Sequence, residues 1–450
     1  MRPSVRFLAA ILSSLMLVTA CTQQSSSQSP GASIDQAKIL PELATRHKLH
    51  SNSGSSPIGH IVIIVQENRT PDNLFQNFPG ANIASSGLNS EGQQVPLHSA
   101  PLEVPYDVSH THATFVQEYD GGTMDGFAHV GASCGRKATC AYGFVPNSET
   151  VPYFTMAQQY VFGDMMFSTN EGPSYPAHQY LISGTSATDD PAFLASENPF
   201  IPGGGVSHAA GCDAPARALV ETIDQFGNEG NPVFPCFDRP TLGDLLDAQN
   251  VTWRYYQMKL GPGLWYAYDS IQHIRFGSDY ANVVTPSQRI LSDIANGQLA
   301  NVSWVIPAGS NSDHSSSHSN TGPDWVASIV NAMGQSQYWN DCAIIVVWDD
   351  WGGWYDHVPP PNFNSYELGF RVPLIVVSPY AKTNYVSHTQ YEFGSILKFV
   401  EETFGTGSLN TTDARATSIG DVFNFSKNRR SFRRIPAKPY RIDRSVPDSD

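Results

Sequence analysis

The chain is short of positive charge. Of its 450 residues only 26 are Lys or Arg, against 41 Asp and Glu, for a formal net charge of −15. That balance argues against a nucleic-acid partner. The body is more acidic still, because eight of the 26 basic residues lie between Lys427 and Arg444. Such a body would need local cations to handle an anion, and a metal ion is one source. Cysteine is sparse, six in all. No internal repeat is visible, which sets repeat architectures aside. The apolar run Phe7–Val18 falls short of a membrane-spanning helix.

Forty per cent of the residues are hydrophobic, enough for a packed core in one large or two to three average domains. Gly 36 and Pro 32 imply many loops. Arg2 and Arg6, the run to Val18 and the small residues before Cys21 read as a bacterial secretion signal over residues 1–20. Val18-Thr19-Ala20-Cys21 resembles a lipobox, which would lipidate Cys21 and anchor the exported chain to a membrane. The alternative is a signal cut nearby, with Cys21 part of it. Residues 21–57, opening with the Ser- and Gln-rich Thr22–Ser33, suit a flexible tether. Export permits disulfides, and Cys134–Cys140 and Cys212–Cys236 are predicted in loop-rich stretches, with Cys342 a buried free thiol.

Ala343–Trp348 is six apolar residues, β-branched enough to read as a buried strand. Asp349 and Asp350 follow, then Gly352-Gly353. Ligands in open α/β sheets bind beyond the carboxyl ends of strands. Paired carboxylates there repel each other unless a cation neutralises them, although a solvated strand end is the commoner meaning of such a pair. His60–Val65 is a second such run, ending in Gln66, Glu67, Asn68 and Arg69, and supplies half of a hard-metal site. Ser174, in NEGPSYPAHQYLISG, stands where a loop opens a helix. Backbone N–H groups there stabilise negative charge, yet a serine just ahead of a proline is also an ordinary N-cap. Of His110 and His112, at most one should reach a shared site.

Further along, 193–231 reads as an irregular insertion over the sheet edge or site mouth. Thr241–Ala248 reads as a short amphipathic helix, and Thr252–Tyr256 as a strand. Trp253, Tyr255, Tyr256, Trp265, Tyr266 and Tyr268 are core packing, or in part a pocket for a cationic headgroup. Val302–Pro307 and Val372–Ser378 read as strands, Trp325–Met333 and Phe393–Phe404 as helices. This alternation predicts an α/β, three-layer sandwich, its mostly parallel central sheet covered by helices on both faces. The basic end, from residue 426, is read as a belt on the acidic body, or as a tail for anionic lipid or polysaccharide.

With these residues in place the chain resembles the phosphoesterase family of bacterial phospholipases C and acid phosphatases, of alkaline-phosphatase-like fold. HIVIIVQENRTPDNLF, NEGPSYPAHQYLISG, the Asp313-His314 loop and VVWDDWGGWYDHVPPP with GFRVPLIVVSPYAK carry the resemblance, from about His60 to about Phe404. It implies a catalytic domain over 58–425, with an insertion at about 193–235. It implies metal ligands at Glu67, Asn68, Asp349 and Asp350, and a nucleophile at Ser174. His110 and His314 match histidines around the phosphoryl group, His273 matches another, and His357 is read as structural. Where the family has Asp-Glu this chain has Asp349-Asp350, one methylene shorter. Where it has Pro-Asn-Arg, this chain has Pro176-Ala177-His178, so a contact those side chains supply is missing or has passed to His178.

The implied activity is hydrolysis of phosphate esters, phospholipid among them, through a phosphoserine. The cofactor would be a divalent metal ion, Ca, Mg, Mn or Zn. Two rivals stand beside it. A carboxylic-ester serine hydrolase would want Gly-x-Ser-x-Gly, and Gly172–Pro176 lacks the second glycine. A surface lipoprotein binding glycan or lipid on the same fold would need no turnover.

Overall fold

Two apolar runs far apart in sequence lie side by side at the centre of one sheet. The computed structural model describes residues 56–132 and 139–439. Its eight-stranded sheet holds β1 (His60–Gln66), β2 (Val161–Gly163), β3 (Trp253–Tyr256), β4 (Val283–Val284), β5 (Val302–Val305), β6 (Cys342–Trp348), β7 (Leu374–Val377) and β8 (Tyr385–Ser387). Their spatial order is β4-β3-β5-β1-β6-β7-β2-β8. β7 runs antiparallel to both neighbours, and every other adjacent pair is parallel. β1 and β6 are buried almost end to end, as their unbroken apolar runs require of strands covered on both faces.

Register proves the two covering layers. Trp304 on β5 lies opposite Ile63, and Ile63 opposite Ile345, three residues before Trp348 on β6. An odd offset puts Trp304 and Trp348 on opposite faces. Trp304 donates to the Leu181 carbonyl of one helix, while Trp348 meets the Tyr153 ring of another at 5.0 Å. The main helices are α1 (His112–Tyr119), α2 (Val151–Gln159), α3 (Ser174–Ser183), α4 (Leu242–Ala248), α5 (Arg289–Ala295), α6 (Gly322–Gln335) and α7 (Phe393–Phe404). α2, α5 and α6 pack together on the Trp348 face, and α3, α4 and α7 on the Trp304 face. The three-layer α/β sandwich is therefore the fold.

Several boundaries differ from the sequence reading. The insertion is not irregular. Phe193–Ala195, Val220–Asp224 and Glu229–Val233 form a three-stranded antiparallel sheet, a pairing too short to advertise itself by alternation. Nearer the N-terminus, Ser86–Leu88 and Gln94–Pro96 pair as a short antiparallel hairpin. The helix expected at Trp325–Met333 runs on to Gly322 and Gln335. Cys212–Cys236 is a disulfide, and Cys342 is free and buried. Cys134, Cys21 and the signal and tether lie outside the described residues.

Along 426–439 the chain crosses α6 in extended form. Asn331 exchanges two hydrogen bonds with the Ile435 backbone, and Phe432 packs on Trp339 at 4.9 Å. Arg430 lies 4.1 Å over the Tyr160 ring. A second buried group joins the strand ends on the far side of β7. Arg371 donates two hydrogen bonds to Asp356 through Nε at 3.0 Å and one through NH2 at 2.8 Å, and lies 3.6 Å from Asp72. His357 Nδ1 lies 2.7 Å from the same Asp72, which makes the structural reading of this histidine correct.

Candidate active site

The site follows from the pairing of β1 with β6. Gln66 is opposite Trp348, so Glu67 and Asp349 emerge together at adjacent carboxyl ends. Two glycines then let the chain fold back. Gly352 has φ +63°, and a Cβ there would lie 2.4 Å from the Asn68 carbonyl oxygen. Gly353 has φ +71°, and its Cβ would lie 2.4 Å from the Ser109 oxygen. Only residues without a Cβ allow the Asp349-Asp350 turn to lie this close to the Asn68 and His110 segments. Gly352→Ala is expected to lose about 1–3 kcal/mol of stability from the left-handed backbone and the clash together, read by urea denaturation.

Backbone and side chains interlock around this turn. Asn68, itself at φ 59°, donates its N–H to Asp349 Oδ1 at 3.0 Å, and Asp350 N–H donates to the same oxygen at 2.8 Å. Asp350 Oδ1 accepts from Gly352 N–H at 2.7 Å. Ser174 is the first residue of α3, and Pro173 precedes it as N-cap with no side-chain capping bond. Its hydroxyl donates instead to Asp350 Oδ2 at 3.1 Å and faces Asn68 Oδ1 at 3.4 Å. The reading of Ser174 as a plain N-cap is thereby set aside. One turn on, His178 Nε2 sits 2.9 Å from Glu67 Oε1 and 3.7 Å from Asp349 Oδ2.

The phosphoryl-side histidines form a second group. His110 Nε2 lies 2.9 Å from the Asn68 side-chain amide, and Nδ1 lies 2.7 Å from the Val108 carbonyl. The rings of His110 and His314 are 5.8 Å apart, and Asp107 Oδ1 stands 3.9 Å from a nitrogen of each. Sequence reasoning passed over Asp107, although its place three residues before His110 is a detectable signal. It also passed over Gln66, which accepts from Asp313 N–H at 2.9 Å and donates to the Asn311 carbonyl at 2.9 Å. Gln66 thus ties the His314 loop to the tip of β1.

Electrostatics separate the histidines. Burial lowers His110, but Asp350, Asp107, the Val108 carbonyl and Asp349 outweigh it and push the imidazole up to about 9. Burial holds His178 down at about 4 against the pull of Asp349. Burial also lowers His314, opposed by Asp107. Asp350 is raised well above the carboxylate range by burial and by Asp349. The carboxylate pair therefore sheds charge unless a cation lies against it.

The residues fit a divalent cation. Glu67, His178 and Asp349 each present a ligand atom within 4.8 Å of the others, and all three are buried. Asp349 Oδ2 has no hydrogen-bond partner. The Asn68 amide oxygen lies 2.9 Å from Glu67 Oε2 and 3.3 Å from Asp349 Oδ1, acceptor against acceptor. Two arrangements satisfy these atoms. Around a cation, the amide oxygen and carboxylates share it while the NH2 donates to a neutral His110. Without one, the amide turns over, donates to both carboxylates and accepts from His110 Nε2.

His273 does not join this group. Its Nδ1 and Nε2 are taken by Asp238 at 2.5 Å and Asp244 at 2.9 Å on a half-exposed surface. The local sequence match that suggested it marks a surface ion pair. His112 is also turned away, its Nδ1 2.8 Å from the Glu171 carbonyl. The six aromatics from Trp253 to Tyr268 are all buried and belong to the core, which removes the headgroup-pocket reading. Of these, only Trp265 comes near the site, backing His178 at 6.5 Å between ring centroids.

A serine, four acidic or amide side chains and three histidines gather at the carboxyl ends of a mostly parallel sheet, the arrangement of a candidate hydrolase site in an α/β protein. The chain belongs to the Phosphoesterase family, whose model matches residues 58–407. It is similar to the non-hemolytic phospholipase C of Pseudomonas aeruginosa, 22% identical over 90% of this chain and 62% of that protein. It is also similar to phospholipase C B of Mycobacterium tuberculosis, 26% identical over 82% of this chain and 78% of that one. The chain thus spans less than two thirds of the Pseudomonas relative. A solved alkaline phosphatase superfamily protein from Vibrio parahaemolyticus matches at TM-score 0.37 and 11% identity, over 83% of this chain and 76% of that one. At that score the fold class rests on the sheet described above.

Proposed function

We propose that the protein is a metal-dependent phosphoric-ester hydrolase of phospholipase C or acid phosphatase type, with Ser174 as nucleophile. The reading is carried by one observation: the Ser174 hydroxyl opens a helix within hydrogen-bond reach of Asp350, where β1 and β6 deliver Glu67, Asn68 and Asp349. The relatives named phospholipase C support the substrate class.

Glu67, Asn68, Asp349 and His178 would hold the cation, while Asp350 accepts from the serine hydroxyl. When bound, a divalent cation supplies charge against which phosphoryl oxygens and the serine oxygen are stabilised. Ser174 Oγ attacks phosphorus while the bond from phosphorus to the leaving alcohol breaks. The serine proton passes to Asp350 Oδ2, and protonated His314 gives its proton to the departing alkoxide. At the start of α3 the Tyr175 N–H is taken by Asn198, Pro176 has none and Ala177 bonds the Pro173 carbonyl, which leaves the Ser174 N–H for a phosphoryl oxygen. Water then attacks the phosphoserine, its phosphorus–Oγ bond breaks, a proton returns to Ser174, and phosphate or a phosphomonoester leaves.

The N-terminal sequence supports export and lipidation at Cys21 as part of the same proposal, which places the enzyme at a membrane. The test of the chemistry is turnover of p-nitrophenyl phosphate and of p-nitrophenyl phosphorylcholine by the full chain, before and after exhaustive chelation. Turnover lost on chelation and restored by one of Ca, Mg, Mn or Zn is expected. Undiminished turnover without metal removes the cation, and silence toward both esters with every metal removes the reaction.

A further inference from the structure

Two phenylalanines stand out in solvent beside the serine segment. Phe226 is 78% exposed at the tip of a braced turn, and Phe363 is 60% exposed at the base of another, its N–H bonded to the Glu367 carbonyl at 2.8 Å. At Phe226, Asp224 Oδ1 accepts the N–H groups of Phe226 and Asn228 at 2.8 and 2.9 Å. At Phe363, Asn364 Oδ1 accepts those of Tyr366 and Glu367 at 2.8 and 2.9 Å. The bracing fixes the backbone that carries each ring. Exposing two large rings in this way is unfavourable in water and calls for a partner.

The two turns touch each other. Ser365 Oγ donates to the Asp224 carbonyl at 3.1 Å, and a Cβ on Gly227 would meet Ser365 Cβ at 3.4 Å. Both are also fastened to the nucleophile segment. Tyr366 accepts through its carbonyl from Glu171 N–H at 3.0 Å and donates its hydroxyl to the Ser196 carbonyl at 2.8 Å. Asn198 Oδ1 accepts from Tyr175 N–H at 3.0 Å, one residue beyond Ser174. The insertion and the 362–367 loop therefore clasp the chain on both sides of the serine and carry one ring each.

We infer that Phe226 and Phe363 form a two-point anchor that enters a zwitterionic phospholipid surface and sets the serine site against it. This deepens the phosphoester reading above and rests on it. Aromatic rings favour the membrane–water interface, where ring and headgroup are both satisfied. Charge chooses the surface. The hairpin that carries Phe226 also carries Glu221, Asp224 and Glu229, which would be repelled by anionic lipid. Arg415, 3.9 Å from the Phe363 ring centre, is already paired with Glu367 at 2.6 Å and Glu392 at 2.8 Å.

The test uses the full chain with Cys21→Ala, so that no acyl group contributes, and phosphatidylcholine vesicles in a sedimentation assay. Phe226→Ser and Phe363→Ser should each weaken partitioning roughly ten-fold, and together more. Their p-nitrophenyl phosphate turnover should match the parent, which shows that the fold is intact. Phe425→Ser removes an exposed ring that packs on Tyr380 at the opposite end of the sheet, and should bind as the parent does. Adding phosphatidylglycerol should weaken binding. A double variant that partitions like the parent, a parent that ignores vesicles, or tighter binding to anionic vesicles overturns the anchor. So does a dimer of the parent in sedimentation velocity that either Phe→Ser variant dissolves. If vesicle binding follows the two rings but neither soluble ester is turned over, the hydrolase reading fails and the lipid surface stands.

Discussion

Ser174→Ala is expected to lower turnover of p-nitrophenyl phosphate by about 10⁴-fold or more. In the proposed mechanism the hydroxyl forms the covalent intermediate, and no neighbouring side chain is placed to substitute for it. Asp350 is held by Gly352 N–H on one oxygen and by the serine on the other, and the three histidines face carboxylates and amides. The loss should fall on the rate of the chemical step, because the cation ligands stay in place. Binding of the restoring metal, measured by calorimetry on the variant, should therefore change little. Acid quench of the parent with substrate, followed by peptide mass analysis, should find one phosphoryl group on the peptide that contains Ser174. A variant that retains turnover within ten-fold, or a phosphoryl group on a histidine instead, ends the serine mechanism. The melting temperature should stay near that of the parent, since the removed hydroxyl is small and the helix start keeps its backbone.

The strands that matter most were legible because burial on both faces leaves a simple mark. HIVIIV and AIIVVW are β-branched runs of strand length, and no helix surface would tolerate them. The α7 limits were also readable at Phe393 and Phe404, where an apolar stripe recurs at helical spacing and Gly405 closes the helix in left-handed geometry. What the residues alone could not give was adjacency. Nothing local says that Gln66 pairs with Trp348, yet that register is what brings Glu67 to Asp349. The direction in which a histidine points is equally non-local. His110 and His112 are two residues apart, and only the packing of Ser109 against Gly353 selects His110 for the site. His273 misled because a local match to the family does not say where the ring lies, and packing sets it on the surface between Asp238 and Asp244. The insertion strands escaped notice because they are held by two neighbours in space rather than by a face of their own.

The other large effect lies away from the chemistry. Arg371→Met should lose about 3–5 kcal/mol of folding stability, the usual result of removing one partner from a buried ion pair. Arg371, Asp72 and Asp356 are fully buried, and the guanidinium also holds the Asn82 and Asp164 carbonyls at 2.9 and 2.8 Å. The group Asp72, Asp356 and His357 has the spacing of a cation site, but Arg371 already supplies the positive charge there. Methionine fills much of the volume and supplies none of that charge. The pH dependence identifies the cause. Burial already raises Asp356 above its ordinary range, opposed first by Arg371. Without the guanidinium Asp356 rises further, so the folded variant binds protons more tightly than its unfolded chain. Its deficit is then greatest above the raised folded-state values and shrinks as pH falls toward the unfolded value of about 3.9. Urea denaturation of parent and variant from pH 7 to pH 5 reads this directly. A deficit that stays constant across that range would mean that lost packing, and not stranded charge, is what the substitution exposes.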